Sequence, residues 1–139
     1  PLRRPAPAEM ARGLGATSDT RAGTKRRPGS LGKQERGVAD SPGFVGNRIF
    51  MPLINEAVFT LQEGVADAAT IDSLMKLGCN HPMGPLRLTD LVGLDVRLHI
   101  AEGLAKSLGA RFEPPQVLRT MVAQGHLGQK SGQGFYTWT

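Results

Sequence analysis

The stretch DSPGFVGNRIFMPLINEA, residues 40–57, decides the reading of the fold. Its Ser-Pro-Gly entry is turn chemistry, and the residues beyond it have the composition of a helix. On a wheel at about 100° per residue, the apolar side chains of residues 44–63 cover well over half the circumference: Phe44, Val45, Ile49, Phe50, Met51, Leu53, Ile54, Ala57, Val58 and Leu61. Only Arg48, Asn55, Glu56 and Glu63 define a polar sector. A helix this apolar is expected to be the central, buried one. Pro52 removes one of its backbone hydrogen bonds, at a cost of about 3 kcal/mol that packing must outweigh. Asn47 falls between Ile54 and Val58, inside the apolar sector. Two readings fit it: an amide bonding nearby backbone at the helix entry, or an amide held ready for a polar ligand atom, with Gly46 permitting close approach.

Downstream, the same helical period recurs. Asp67 is a natural N-cap for a second helix, with Ile71, Leu74 and Met75 facing inward and Gly78 ending it. Pro85 is well placed to begin a short third helix, and Gly93-Leu94-Asp95 supplies a stop and a fresh N-cap. Leu98, Ala101, Leu104, Ala105 and Leu108 form a fourth stripe. Val117, Leu118, Met121 and Val122 form a fifth, ending near Gly125, before a glycine-rich loop and an aromatic cluster. No segment sustains a period of two. The expectation is an all-α bundle of about five helices over residues 39–139.

Residues 1–38 are of another kind. The whole net charge of +5 falls within residues 1–40, where nine Lys/Arg face four Asp/Glu; residues 41–139 carry eight of each. That front segment holds ten Gly or Pro and no Ile, Phe, Tyr or Trp, too little apolar surface to offset the entropy of ordering it. It is expected to be a poorly ordered, mobile basic tail. TKRRPGS, residues 24–30, has charge for nucleic acid, but no aromatic interleaves it, so a solvated linker is the simpler reading and nucleic acid is not expected. The lack of an initial methionine is read as a processed or partial chain. PLRRPAPAEM has no apolar core of a secretory signal, and the longest apolar runs fall short of the about 18 residues of a membrane span. One cysteine, Cys79, excludes an intrachain disulfide and fits a reducing cytoplasm.

Few residues suit chemistry. His81, His99 and His126 are scattered, with no carboxylate at a spacing that makes a base and its orienter. Cys79-x-His81 is too little for a metal site, so none is expected. GQKSGQG, residues 128–134, has the wrong order for a phosphate-cradling loop, and Lys130 within it reads as a solvated charge. No G-x-G-x-x-G follows a strand, so no dinucleotide site is encoded in these residues.

Three ordered segments, DSPGFVGNRIFMPLINEA, MKLGCNHPMGPLRLTDLVGLD and GQKSGQGFY, resemble the C-terminal domain of the NAD-dependent 3-hydroxyacyl-CoA dehydrogenases, and the NHPMGP form is most similar to the bacterial 3-hydroxybutyryl-CoA enzymes. The resemblance runs over residues 39–139. It implies a helical domain joined in the family to a Rossmann domain that holds NAD, an active site in the cleft, and a homodimer made through the helices. The implied reaction oxidises the 3-hydroxyl of an acyl-CoA to a ketone, as in fatty acid and butanoate metabolism, with a histidine base paired to a glutamate. Carried over, Asn47 contacts the acyl substrate near its reacting oxygen, which favours the second reading above. Lys130 contacts NAD, and Glu9 aligns with the glutamate partner. Pro82, Met83 and Gly84 match a turn read as structural. RGLGATSDT echoes the family, but QERG stands where a valine-rich strand is expected, and the base has no counterpart. Residues 1–38 thus read as a degenerate remnant of the end of a Rossmann domain, explained by a truncated gene with local frame errors. On this reading the chain alone is inactive and supplies substrate-positioning and dimer-forming surfaces. The alternative is a non-catalytic helical dimerisation or binding module with a basic tail.

Overall fold

The computed structural model describes residues 7–11 and 34–139. They fall into two compact units, 1–46 and 47–139. In the first, β1 (Pro7–Ala11) and β2 (Gln34–Val38) pair in parallel, with Glu9 opposite Arg36. Ten residues of the segment expected to be poorly ordered are therefore strands. QERG forms β2 without its valines because the ladder is made by backbone N–H and C=O groups. TKRRPGS and the rest of residues 12–33 lie outside the described residues.

The second unit is all-α, as the periodicity predicts. α1 (Gly46–Gln62) runs through Pro52, followed by α2 (Ala68–Gly78), α3 (Pro85–Val92), α4 (Leu94–Leu108) and α5 (Gln116–Ala123). Two short 3-10 turns, Ala110–Phe112 and Gln129–Ser131, complete it. The caps follow the sequence. Asp67 accepts the Thr70 N–H at 2.7 Å, and Pro85 opens α3 at its first helical position. Gly93, at φ 109°, both ends α3 and begins α4. No side chain caps α4, and Asp95 lies inside its first turn instead.

Two apolar clusters make the core. Ile54, Ala57 and Val58 of α1 pack with Ile71 and Leu86; Met51 packs with Ala101, Leu104 and Phe112. α1 is therefore central on one face only. Its other flank stays open, with Ile49 62% and Phe50 42% exposed. On α2 the inward residues are Ile71 and Asp72, while Leu74 is 63% exposed, correcting the inward placement of Leu74. The polar sector assigned to α1 also needs correction at Asn55, which is buried. Its Nδ2 donates to the carbonyls of Phe112 at 3.3 Å and Glu113 at 3.1 Å. Backbone left unpaired by the break after α4 thus supplies partners that a wheel cannot display.

Candidate functional site

Of the three residues singled out by sequence, Glu9 belongs to the first unit and Asn47 and Lys130 to the second. Glu9 sits mid-strand on β1, exposed, and its Oε1 accepts the backbone N–H of Gly46 at 2.9 Å. That donor is one of the unpaired N–H groups at the start of a helix, where a carboxylate is favoured. A Cβ at Gly46 would lie 3.5 Å from Oε2, so glycine leaves the second oxygen uncrowded.

Asn47 is half-buried in the first turn of α1. Among the described residues its side-chain amide has no hydrogen-bond partner. The backbone-capping reading is therefore not realised among them. One turn further along the same face, Met51 is fully buried, and its sulfur lies 3.9 Å from Nη1 of Arg97. Arg97 is itself buried, its Nε has no partner among the described residues, and burial lowers its pKa. Sequence reasoning took no notice of this guanidinium, because its position on α4 flanks the apolar stripe.

Lys130 is exposed and held by both oxygens of Asp95, at 2.6 and 2.7 Å. The hydrogen bond from Lys130 keeps the Asp95 carboxyl below its ordinary range. Gly93 makes room for the pair: a Cβ there would stand 2.9 Å from Asp95 Oδ1 and 3.2 Å from Lys130 Nζ. An ammonium has three donors, so one N–H remains for another anionic group.

The C-terminal segment that carries Lys130 is clasped by two buried carboxylates that sequence reasoning missed. Asp90 of α3 accepts the N–H groups of Phe135 and Tyr136 at 2.8 and 2.9 Å, and Nε1 of Trp138 at 2.8 Å. Asp72 of α2 accepts the N–H groups of Leu86 and Arg87 at 2.8 Å each, capping α3 from outside its own chain segment. It also takes the Tyr136 hydroxyl at 2.7 Å. Burial, and then Asp72, push the Tyr136 phenol far above its ordinary range, so it stays a donor at any physiological pH. Arg87 covers the outside, 4.6 Å from the Trp138 ring centre. The glycines of the motifs fit this clasp: a Cβ at Gly84 would overlap Asp72, and one at Gly128 or Gly134 would overlap Asp90. The signal that could have found Asp72 and Asp90 is a lone acid within an otherwise apolar helix face, followed at a distance by a glycine-rich turn.

Among the described residues, no three His, Cys, Asp or Glu are grouped to hold a metal ion, and no helix is long and apolar enough to cross a membrane.

This arrangement, an all-α unit closed by its own C terminus, is a dehydrogenase domain fold. It superposes on the crystal structure of (S)-3-hydroxybutyryl-CoA dehydrogenase from Ralstonia eutropha with a TM-score of 0.91 at 45% identity, covering 97% of this chain and 48% of that one. The "Probable 3-hydroxybutyryl-CoA dehydrogenase" of Bacillus subtilis is 47% identical over 131 residues, 94% of this chain and 46% of the relative. The mitochondrial hydroxyacyl-coenzyme A dehydrogenase of Sus scrofa is 40% identical over 111 residues, 78% of this chain and 35% of its own length. Residues 43–138 match the family model for the 3-hydroxyacyl-CoA dehydrogenase C-terminal domain. The chain belongs to this family. It spans about half the length of the curated relatives it matches.

Proposed function

We propose that this chain supplies the helical part of an NAD-dependent 3-hydroxyacyl-CoA dehydrogenase. The observation that carries the reading is likeness to 3-hydroxybutyryl-CoA dehydrogenases over nearly the whole chain, together with an Asn47 amide that has no partner among the described residues. On this reading Asn47 donates its N–H to the substrate's 3-oxygen, where a preorganised donor lowers the energy of developing charge. Glu9 orients the general base, and its bond to the Gly46 N–H holds one oxygen, the other having no partner among the described residues. NAD, when bound, accepts the hydride. Lys130 fits a single contact to it, through the one N–H not taken by Asp95. The parallel pair β1–β2 supports the reading of residues 1–38 as the end of a Rossmann domain, since parallel strands need a crossover and occur in larger covered sheets.

The exposed apolar side chains of Ile49, Phe50, Leu91 and Val96 favour pairing with a second copy of the chain. This homodimer belongs equally to the alternative reading, a helical dimerisation module without catalysis. The free, exposed Cys79 fits the cytoplasm.

The test is to assay NADH formation from 3-hydroxybutyryl-CoA with the chain alone, with a relative's Rossmann half alone, and with both. The expected result is turnover in the mixture only, lowered roughly 10- to 1,000-fold by Asn47→Ala. A mixture no faster than the Rossmann half alone selects the non-catalytic module.

A further inference from the structure

The guanidinium of Arg97 is a buried charge that the roles of Asn47 and Lys130 leave unused. Arg97 is 7% exposed, and its Nη1 meets the Met51 sulfur at 3.9 Å, a weak acceptor. Nε is sealed from solvent with no partner among the described residues. Nη2 has none among them either, but it is not sealed. No carboxylate of the described residues pairs with the group. Asp72 and Asp90 set the contrast, since each of those buried charges accepts three hydrogen bonds within the unit. A buried cation without a counter-charge is costly, and it calls for an anion from outside the unit.

The chemistry of that anion follows from the guanidinium fork, which takes a planar carboxylate through two parallel N–H groups. With Nε closed off, the two donors are Nη1 and Nη2, at the end of the fork. A phosphate is bulkier and more strongly hydrated, and suits so shielded a group less well. Position says what carries the carboxylate. Met51 stands four residues after Asn47, about 6 Å along the same face of α1. The guanidinium and the Asn47 amide therefore flank one stretch of α1, apart by the span of a few carbon–carbon bonds.

We infer that Arg97 binds a carboxylate at the far end of the acyl group, so that the preferred substrate class is a dicarboxylic acyl thioester. The inference rests on Asn47 being a substrate contact, and it adds a charge that the acyl group carries. Asn47 then acts on every acyl thioester alike, while Arg97 selects among them. Hydrogen bonds from the guanidinium to a carboxylate should favour it over a methyl end by roughly 10- to 100-fold.

The experiment titrates the full chain by calorimetry with N-acetylcysteamine thioesters paired by length, butyryl against succinyl and hexanoyl against adipyl. The expected result is tighter binding of adipyl than hexanoyl by that factor. The preference should be smaller in the shorter pair, whose carboxylate stops short of the fork. Arg97→Met should bring adipyl down to the level of hexanoyl. Asn47→Ala should weaken both members alike and leave their ratio. Urea unfolding without ligand is the control on folding, since Arg97→Met removes an unpaired charge and should not lower the midpoint. Equal affinity within the longer pair, a preference that survives Arg97→Met, or a steeply lowered midpoint (a guanidinium already satisfied by the fold) would each overturn the inference. Displacement of adipyl by acetate or inorganic phosphate at similar concentration would do so too, making Arg97 a general anion site. Sedimentation moved toward monomer by Arg97→Met, with no change in preference, would assign the counter-charge to a second copy instead. A clear preference without turnover in the mixture assay would remove the dehydrogenase reading and leave the carboxylate site. Turnover without a preference would do the reverse.

Discussion

The entry to α1 and the C-terminal clasp both carry family motifs, yet they are satisfied in opposite ways. In the clasp, the lone charges are used inside the unit: Asp72 and Asp90 between them accept six hydrogen bonds from Leu86, Arg87, Tyr136 hydroxyl, Phe135, Tyr136 N–H and Trp138. At the entry, Asn47 finds no partner among the described residues and Phe44, Val45, Ile49 and Phe50 are exposed. A motif whose polar groups are spent internally is a device for folding. One whose groups are left open is a device for meeting something else. Substitutions in the clasp are therefore expected to act on stability, and those at the entry on binding and rate.

The largest effect is expected at Asp90. It is 1% exposed, and Asp90→Leu would strand three half-buried donors, a loss of roughly 3–5 kcal/mol. That is a large share of the about 5–15 kcal/mol that holds a typical domain. Trp138 is the sole tryptophan and bonds Asp90 directly, so its fluorescence reports the clasp. The expected outcome is a red-shifted emission and a lower urea midpoint. Unchanged emission would mean that the carboxylate does not hold the tail.

Next come two glycines of opposite sign. Gly128 has φ 92° and its added Cβ would overlap the Asp90 backbone, so Gly128→Ala should destabilise by about 2 kcal/mol or more. Gly103 lies within α4 with open space around it, so Gly103→Ala should stabilise by about 0.5–1 kcal/mol. Urea midpoints moving in the same direction would break this contrast. Asn47→Ala is expected within about 0.5 kcal/mol of the parent, although it lowers turnover in the mixture. A stability loss comparable to that of Asp90→Leu would make Asn47 a structural residue like those of the clasp.

Much of the fold was legible in the sequence, for a physical reason. Helix period, the Asp67 cap, Pro85 at a first turn and the stripe Leu98–Leu108 are local, set by residues a few positions apart. The failures are non-local. Asn55 looked solvent-facing because a wheel gives an angle, while its partners are carbonyls more than 50 residues away. Asp72 and Asp90 drew no reading because their donors lie on later segments. QERG looked unlike a strand because strand pairing was sought in side chains. Asn47, Lys130 and Glu9 drew functional readings from resemblance to the family, since spacing alone left Asn47 open and gave Lys130 as a solvated charge.

The smallest expected effect tests the one place where the two regimes meet. Lys130 rides on the clasped segment, yet its ion pair with Asp95 is exposed, the side chains being 46% and 39% accessible. An exposed pair is worth below about 1 kcal/mol, so neither Lys130→Ala nor Asp95→Asn should unfold the unit. The lowered pKa of Asp95 sets the sign with pH. Its folded value lies below its unfolded value of about 3.9, so the pair's stabilisation is fully present above that and fades as pH falls through the folded value. Asp67, also lowered by its bond to Thr70, titrates in the same acid range. The measurement is therefore the difference between parent and Asp95→Asn unfolding curves from neutral to strongly acid pH. The expected difference is small at neutral pH, vanishes in acid, and shrinks with added salt. A difference that persists in acid would assign Asp95 a packing role instead, and Lys130 would then have no reason of charge to be held where it is.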